Sequence, residues 1–348
     1  MLYPHQDLIS YCAKILEAVG VGSSDAGTTA NVLVNADMRG VFSHGCIRME
    51  GYVKCILSGG IRAKTTYTVV ADGDAYALVD AGQGLGIPVS VFAMEMAKKK
   101  AKKSGIAIVN VRNSHHHGAC GYYSLLCAGD GMIGAAMSTG DPIMAAPGSA
   151  EAVIGNNPFS YALPAGKYRA ICYDVAMSVV AAGKISIAAD NGEKIPEGWL
   201  LGPDGNPTTD PSEIYRGGVL LPFGGHKGYG LSVMVESLAG MLSGAALLKD
   251  IHAWNQNPDK GGGVGHCFAA IDPKLINPAE DISAQAEQMI GQLSGAKRAP
   301  GADRIYFPGQ IENEKEEEAF RTGIDLPDPS KKALERAAKM AGILSPII

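Results

Sequence analysis

Apolar residues near the start of the chain recur at helical spacing. One apolar stripe consists of Leu8, Cys12, Ile15, Leu16 and Val19. Because residues three and four apart share a helix face, the pattern predicts helices from about residue 5 to about residue 58. The same periodicity predicts an amphipathic last helix over residues 330–343.

The middle of the chain alternates between strand and helix patterns. Apolar or alternating runs, bounded by Gly and Pro, predict strands at residues 67–70, 75–80, 105–111, 132–138, 152–163, 168–175 and 264–271. Longer periodic runs predict helices at residues 87–101, 228–247 and 283–293. Two polar segments, residues 199–213 and the acidic residues 312–318, are expected to be exposed or flexible.

Composition narrows the classes of protein. The 348 residues are 46% hydrophobic and 19% charged, with 45 glycines, which is typical of a soluble, loop-rich α/β enzyme. The net charge of −5 argues against a nucleic-acid partner, and no apolar stretch reaches membrane-spanning length. Seven cysteines without a C-x-x-C pair form a poor disulfide framework, so we expect a protein of the reducing cytoplasm.

The segment from Ser43 to Tyr52 contains three functional side chains at four-residue spacing. If the segment is helical, His44, Arg48 and Tyr52 share one face. A histidine beside a guanidinium suits a substrate that has a carboxylate to bind and a neighbouring oxygen whose proton is exchanged. The pattern therefore indicates 2-hydroxy or 2-oxo acid chemistry, and the alternative is a surface helix with solvated side chains.

The dinucleotide-binding sequence of Rossmann proteins is missing. The nearest match is Gly82-Gln83-Gly84-Leu85-Gly86, where Ile87 stands in place of the third glycine, and a plain turn before a helix is the favoured interpretation. A second glycine-rich turn, residues 222–230, contains Lys227 and opens a long helix. Its N–H groups and ammonium suit a phosphate or ribose, and a tight loop without a ligand is the equal alternative.

Three consecutive histidines, His115, His116 and His117, follow a buried strand. Because α/β enzymes often carry catalytic side chains at strand ends, we expect one catalytic imidazole with two structural neighbours. A zinc site is the less favoured alternative, because consecutive side chains point in different directions and no carboxylate lies at metal-ligand spacing. We therefore expect no metal.

Two further turns carry polar groups next to proline. Asp141 follows another apolar strand, and its carboxylate could orient an imidazole or bind a hydroxyl. Asn157 has an amide that suits a carboxamide or carboxylate. Ordinary turn formation is the alternative for both.

Five motifs follow one another in a recognisable order. They are Ser43-His44-Gly45 with Arg48 and Tyr52, Asn113-Ser114-x-His116-x-Gly118, Gly155-x-Asn157-Pro158, Asp174-x-Ala176, and Lys227-Gly228-Tyr229-Gly230. Together they resemble the malate/L-lactate dehydrogenase family, which does not have the Rossmann fold. The similarity extends from about residue 10 to the final helix, so chance agreement is implausible.

The resemblance implies roles for individual residues. His116 would be the acid/base, with His44 as a second candidate, and Ser43, Arg48 and Tyr52 would bind the substrate. We expect Ser43 and His44 also to orient or share the proton, with Asp141 in support, and Asn157 to bind the substrate. The cofactor would be NAD, with NADP possible, and the matching cofactor residues are Gly140, Asp174, Val175, Ala176, Lys227, Pro308 and Gly309.

The resemblance also implies a fold and an assembly. We expect a non-Rossmann, mixed-sheet, three-layer α/β fold that binds NAD(P), with helices from both termini packed together, in a homodimer. The expected division is a helical terminal domain of residues 1–65 and 310–348, a central mixed α/β domain of residues 66–125 and 231–309, and a cofactor-binding region of residues 126–230.

The sequence thus predicts an oxidoreductase. It would transfer a hydride between a nicotinamide and C2 of a small 2-hydroxy or 2-oxo acid of the malate, lactate or ureidoglycolate type. Two alternatives remain, a histidine-dependent metal hydrolase and a non-catalytic protein that binds small acids. No residue identifies the distal group of the acid.

Overall fold

The computed structural model describes residues 2–64 and 66–345. In chain order its strands are β1 (Leu2–Tyr3), β2 (Thr68–Asp72), β3 (Tyr76–Asp80), β4 (Ile106–Ser114), β5 (Ile133–Ser138), β6 (Pro142–Ala145), β7 (Ala152–Gly155), β8 (Phe159–Pro164), β9 (Ala170–Val175), β10 (Leu200–Leu201), β11 (Pro207–Thr208), β12 (Val219–Leu220), β13 (Val264–Ile271) and β14 (Ile324–Asp325). Its helices are α1 (His5–Ala18), α2 (Ser23–Met38), α3 (Met49–Ser58), α4 (Gly86–Ser104), α5 (Cys120–Gly129), α6 (Ala182–Asn191), α7 (His226–Val235), α8 (Pro273–Ile276), α9 (Ile282–Ser294), α10 (Gln310–Thr322) and α11 (Asp328–Met340).

A seven-stranded mixed sheet runs through the centre of the molecule in the order β2-β3-β4-β13-β5-β8-β9. β3 and β4 are parallel, and each other neighbouring pair is antiparallel. A second sheet has the order β11-β10-β12-β6-β7. The long apolar strands β4 and β13 lie next to each other, so the loop after β4 is fixed by a deeply buried part of the sheet.

Apolar side chains of the helices and strands form three main hydrophobic cores. The first lies among the terminal helices and includes Leu16, Leu33 and Leu334. The second lies between the large sheet and the helices α4 and α5, and a third lies between the two sheets. The terminal helices are further joined by the Glu50–Arg336 ion pair, whose closest N–O distance is 2.7 Å. Helices from both ends of the chain therefore pack together.

Several local predictions are wrong. The strand predicted at residues 152–163 is interrupted, because Asn157 has a φ of 28° and Pro158 follows it. The two segments expected to be exposed or flexible contain regular structure and many exposed residues, since residues 312–318 form part of α10 and residues 199–213 supply two short strands of the smaller sheet. The helix predicted at residues 228–247 is α7 followed by a single π-helical turn.

The division into domains stays a prediction, although β4 and β5, from two of the proposed regions, belong to one sheet. No helix of the described residues is both long and apolar enough to cross a membrane.

Candidate active site

The segment that carries His44 and Arg48 is not the continuous helix that the spacing predicted. It forms two short 3₁₀ turns, Phe42–His44 and Cys46–Arg48, and α3 begins only at Met49. A buried carboxylate determines this shape, because Asp37 accepts a hydrogen bond from the Cys46 N–H at 2.8 Å. A side chain at Gly45 would overlap that carboxylate. The tight turn nevertheless brings the side chains of the segment to one site.

His116 lies in the loop between β4 and α5, and a tyrosine fixes its ring. The hydroxyl of Tyr52, which is 0% exposed, lies 2.6 Å from Nδ1 of His116. The Gly118 N–H also points to this nitrogen, at 3.4 Å. Because Nδ1 is engaged by the protein, Nε2 is the ring atom left to meet a ligand.

His44 and Arg48 lie beside this imidazole. The rings of His44 and His116 are stacked, with centroids 5.6 Å apart and planes 20° apart. Ser43 Oγ is 2.9 Å from His44 Nδ1, and Arg48 Nε donates to the Ser43 carbonyl at 2.6 Å. Within residues 2–64 and 66–345, the two terminal nitrogens of Arg48 have no hydrogen-bond partner, so they are available to a carboxylate.

An indole that the sequence analysis missed completes this cluster. The ring of Trp254 stacks on His116 with centroids 5.0 Å apart and lies 5.4 Å from the Tyr52 ring. Arg48 Cζ is 5.8 Å from the centroid of the same indole. No sequence pattern around Trp254 marked it, because it lies in an irregular loop far along the chain.

Burial and the charge of Arg48 favour the neutral form of the imidazoles in the site. Burial, followed by the charge of Arg48, lowers the pKa of His44 to about 3 and that of His116 well below its usual range. Burial raises the pKa of Asp141, and the nearby Arg48 acts in the opposite direction. A carboxylate bound at Arg48 would offset the cation and raise the pKa of both imidazoles.

The other two histidines of the triplet are buried beside His116, and their structural role stays a prediction. His115 is 1% exposed, and His117 is stacked on His266 with ring centroids 4.2 Å apart. His266 is a further residue that the sequence did not reveal, and its two ring nitrogens lie 2.8 and 2.9 Å from the hydroxyls of Ser114 and Ser138. Because these serines lie at the ends of β4 and β5, His266 ties together the strands that lead to His116 and Asp141. Among the described residues, no three His, Cys, Asp or Glu side chains form a metal-binding group.

Asn157 supports the turn at Gly140. Its Oδ1 accepts the Gly140 N–H at 3.0 Å, and its amide nitrogen donates to the Ser232 carbonyl and to Glu236. The side chain is fully buried. These contacts hold the turn that leads to Asp141, and substrate binding by Asn157 stays a prediction.

Three of the expected cofactor residues line one pocket. Asp174, Pro308 and Gly309 contribute to a pocket with about 730 Å³ of empty space, including its open mouth. Asp174 accepts the Gly121 N–H at 2.7 Å, and desolvation raises the pKa of this carboxyl to about 6. Gly309 has a φ of 87°, and a side chain there would contact Cys172.

The remaining cofactor residues continue from this pocket. Val175 and Ala176 follow Asp174 directly, and the next residue, Met177, accepts the N–H of Phe223 at 3.0 Å. That contact places the turn before Lys227 beside the 174–177 segment. The first turn of α7, which begins at His226, has no side-chain cap.

Comparisons with known proteins agree with this arrangement. The profile of the malate/L-lactate dehydrogenase family matches residues 3–335. Malate dehydrogenase from Pyrococcus horikoshii is 39% identical over 347 residues, which cover 98% of this chain and 95% of that protein. Ureidoglycolate dehydrogenase (NAD(+)) from Escherichia coli O157:H7 is 32% identical over 315 residues, which cover 90% of this chain and 89% of that protein.

The fold is shared with solved structures. Sulfolactate dehydrogenase from Methanocaldococcus jannaschii superposes with a TM-score of 0.91 at 33% identity, over 100% of this chain and 98% of that chain. The resemblance seen in the five motifs is therefore confirmed, and neither a metal hydrolase nor a non-catalytic binding protein gains support. The protein belongs to the malate/L-lactate dehydrogenase family.

Proposed function

We propose that the protein interconverts a small 2-hydroxy acid and the corresponding 2-oxo acid, using a nicotinamide. One observation carries this proposal: the Arg48 guanidinium and the His116 imidazole both lie within 6 Å of the Trp254 ring, although they come from distant parts of the chain. A carboxylate binder and an acid/base in one pocket are what oxidation at C2 of such an acid requires. When bound, the nicotinamide accepts or supplies the hydride.

Arg48 binds the carboxylate of the acid. Its Nε is already held by the Ser43 carbonyl, which fixes the plane of the guanidinium and directs the terminal nitrogens towards a ligand. Because Arg48 is only partly exposed and burial lowers the pKa of its guanidinium, an anionic partner is favoured there. The charge of the substrate is thus fixed beside the imidazole.

His116 moves the proton. During oxidation, Nε2 takes the hydroxyl proton as the C–H bond of C2 gives up its hydride, and during reduction the imidazolium returns that proton to the oxygen. The Tyr52 hydroxyl suits both states if it accepts from Nδ1–H at 2.6 Å, since its own proton can then point to the His116 carbonyl, 3.3 Å away, and this shorter contact outweighs the 3.4 Å approach of the Gly118 N–H. Its position therefore keeps the lone pair of the neutral ring on Nε2.

The neighbouring polar groups assist this transfer. Ser43 and His44 form a hydrogen-bonded pair next to the His116 ring and orient or share its proton. Asp141 lies close enough to Arg48 to influence its pKa and supports the site from the other strand. Asn157 acts through the Gly140 turn.

The residues of the pocket fit a nicotinamide dinucleotide. The pocket at Asp174 and Gly309 has room for a nucleoside, and a carboxylate there suits ribose hydroxyls. The Lys227 ammonium, at the start of α7, would bind the phosphates. Gly140, Val175 and Ala176 would provide backbone contacts.

We further propose NAD as the preferred cofactor. Two carboxylates, Asp174 and Glu312, line the pocket, whereas its one arginine, Arg39, is paired with Glu316 at 2.7 Å. A ribose phosphate would therefore meet negative charge without a free guanidinium. The Asp174→Ser variant should lower the preference for NAD over NADP, as measured by the ratio of kcat/KM values.

The working form is proposed to be a homodimer. Leu231, Met234, Met241 and Leu242 are all more than a third exposed and share one face of α7 and the turn that follows it. A second copy of the chain would cover this apolar face. Analytical ultracentrifugation of a Met241→Glu/Leu242→Glu variant tests this, with a shift towards monomer as the expected result.

The cytoplasmic location stays a prediction from the cysteine pattern.

Steady-state kinetics test the proposed reaction. Malate, lactate, sulfolactate and ureidoglycolate, and the matching 2-oxo acids, are offered with both nicotinamides, and the absorbance of reduced nicotinamide is followed. His116→Ala should lower kcat by roughly two to four orders of magnitude and leave the cofactor Kd nearly unchanged. His5→Ala, in the first helix, is the matched control. If no acid is turned over, or if His116→Ala retains the parent rate, the proposal is wrong.

A further inference from the structure

Trp254 contacts both His116, the proposed acid/base, and Arg48, the proposed carboxylate binder. Its ring lies within 16° of the plane of the His116 ring, and His44 lies within 20° of the same plane. His116 is thus flanked by two nearly parallel rings. The same indole lies 5.8 Å from Arg48 Cζ, within the range of a cation–π contact.

The indole is held firmly although it belongs to a loop. The thiol of Cys55 donates to the Trp254 carbonyl at 3.5 Å, and the His115 ring meets the indole at 90° with centroids 5.6 Å apart. A side chain on Gly51 would come within 2.4 Å of the indole, so α3 leaves space for it. Trp254 is only 9% exposed. These contacts from two separate elements define its orientation.

We propose that Trp254 is a positioning residue for the reaction, which aligns the His116 imidazole and the Arg48 guanidinium on one rigid indole and excludes water from them. This inference rests on the proposed function. A large aromatic ring limits the rotation of a stacked imidazole, and the electron-rich face of an indole attracts a guanidinium. Neither effect requires the indole to contact the reacting atoms.

The first test separates alignment from stability. Trp254→Leu should lower kcat at least about tenfold and move the acid limb of its pH profile to higher pH, because water readmitted to His116 raises the pKa of that imidazole towards its usual value. Trp254→Phe, which retains a ring, should restore most of the rate and the parent profile. A role confined to stability would lower Tm and leave the pH profile in place. Parent kcat and an unchanged profile in Trp254→Leu would overturn the proposal.

The second test needs no turnover. The chain has two tryptophans, so Trp199→Phe leaves Trp254 as the only indole emitter. In that background, His116→Ala and Arg48→Ala should each change the emission of Trp254, and oxamate, an unreactive analogue of a 2-oxo acid, should change it on binding. His5→Ala is the control and should leave the emission unchanged.

The two arms distinguish two failures. If the parent turns over no acid while both site variants alter the emission, the proposed function fails and the alignment by Trp254 stands. If neither variant alters the emission, the proposal that Trp254 aligns His116 and Arg48 is refuted, whether or not the enzyme turns over an acid.

Discussion

Replacing Tyr52 by Phe removes one oxygen from the centre of the site. That oxygen lies 2.6 Å from His116 Nδ1, and Tyr52 is completely buried, so water has no access from that side. Without it, the Gly118 N–H is the remaining partner of Nδ1. A donor at Nδ1 favours the tautomer that carries its proton on Nε2, which cannot accept the proton of the substrate.

The size of the effect follows from the kind of hydrogen bond that is lost. A hydrogen bond to a charged group contributes about 1.5–3 kcal/mol, against about 1 kcal/mol for a neutral one. Tyr52→Phe should therefore lower kcat about 10- to 100-fold and lower the pKa of His116 by about one further unit, since about 1.4 kcal/mol corresponds to one unit. The KM for the acid should change little, because Arg48 is untouched.

The assay is the pH dependence of kcat for acid oxidation, followed by nicotinamide absorbance. Tyr11→Phe is the matched control, because it also removes a buried hydroxyl, one that donates to the Ser345 carbonyl at 3.0 Å far from the site. The reasoning is refuted if Tyr52→Phe keeps the parent kcat and pH profile, or if Tyr11→Phe lowers kcat equally.

Three further predictions address substrate binding and stability. Arg48→Lys should chiefly raise the KM for the acid, because a single ammonium cannot form the two parallel hydrogen bonds of a guanidinium; equal KM values would contradict this. Glu316→Gln should destabilise the fold by about 3–5 kcal/mol in urea denaturation, since Arg39 would stay buried without its carboxylate, whereas the exposed Glu314→Gln should cost at most about 1 kcal/mol. Burial lowers the pKa of His115 to about 4, so the unfolded chain takes up a proton first as the pH falls below about 6.5. His115 alone then lowers the free energy of unfolding by about 1.4 kcal/mol per pH unit down to about pH 4, so His115→Leu should show a decline that is shallower by about this amount.

The elements that could be predicted are those whose signals are local. The apolar stripes of α1 and α11 and the apolar runs of β4 and β13 depend on neighbours in sequence, and each was identified from its period. The break at Asn157 depends on a positive φ that a tertiary contact stabilises, so the period of the strand pattern could not reveal it.

The site was predicted where its residues lie close to a motif. His44, Arg48, Tyr52 and His116 do come together, although the helix that was expected to align them is replaced by two 3₁₀ turns. The turns depend on Asp37, a buried carboxylate from the preceding helix, and no local pattern specifies that contact. Trp254 and His266 were missed for the same reason, since each acts through contacts with residues distant in sequence.

The packing of α11 against α3 has a consequence during synthesis. The segment proposed to bind the substrate leads into α3. Contacts that support α3, including the ion pair between Glu50 and Arg336, come from α11, which leaves the ribosome much later. During synthesis, the face of α3 that packs against α11 therefore stays uncovered until residues 328–340 have been translated. Chains that stop before residue 328 therefore carry the motif of residues 43–52 without the helix that packs against it.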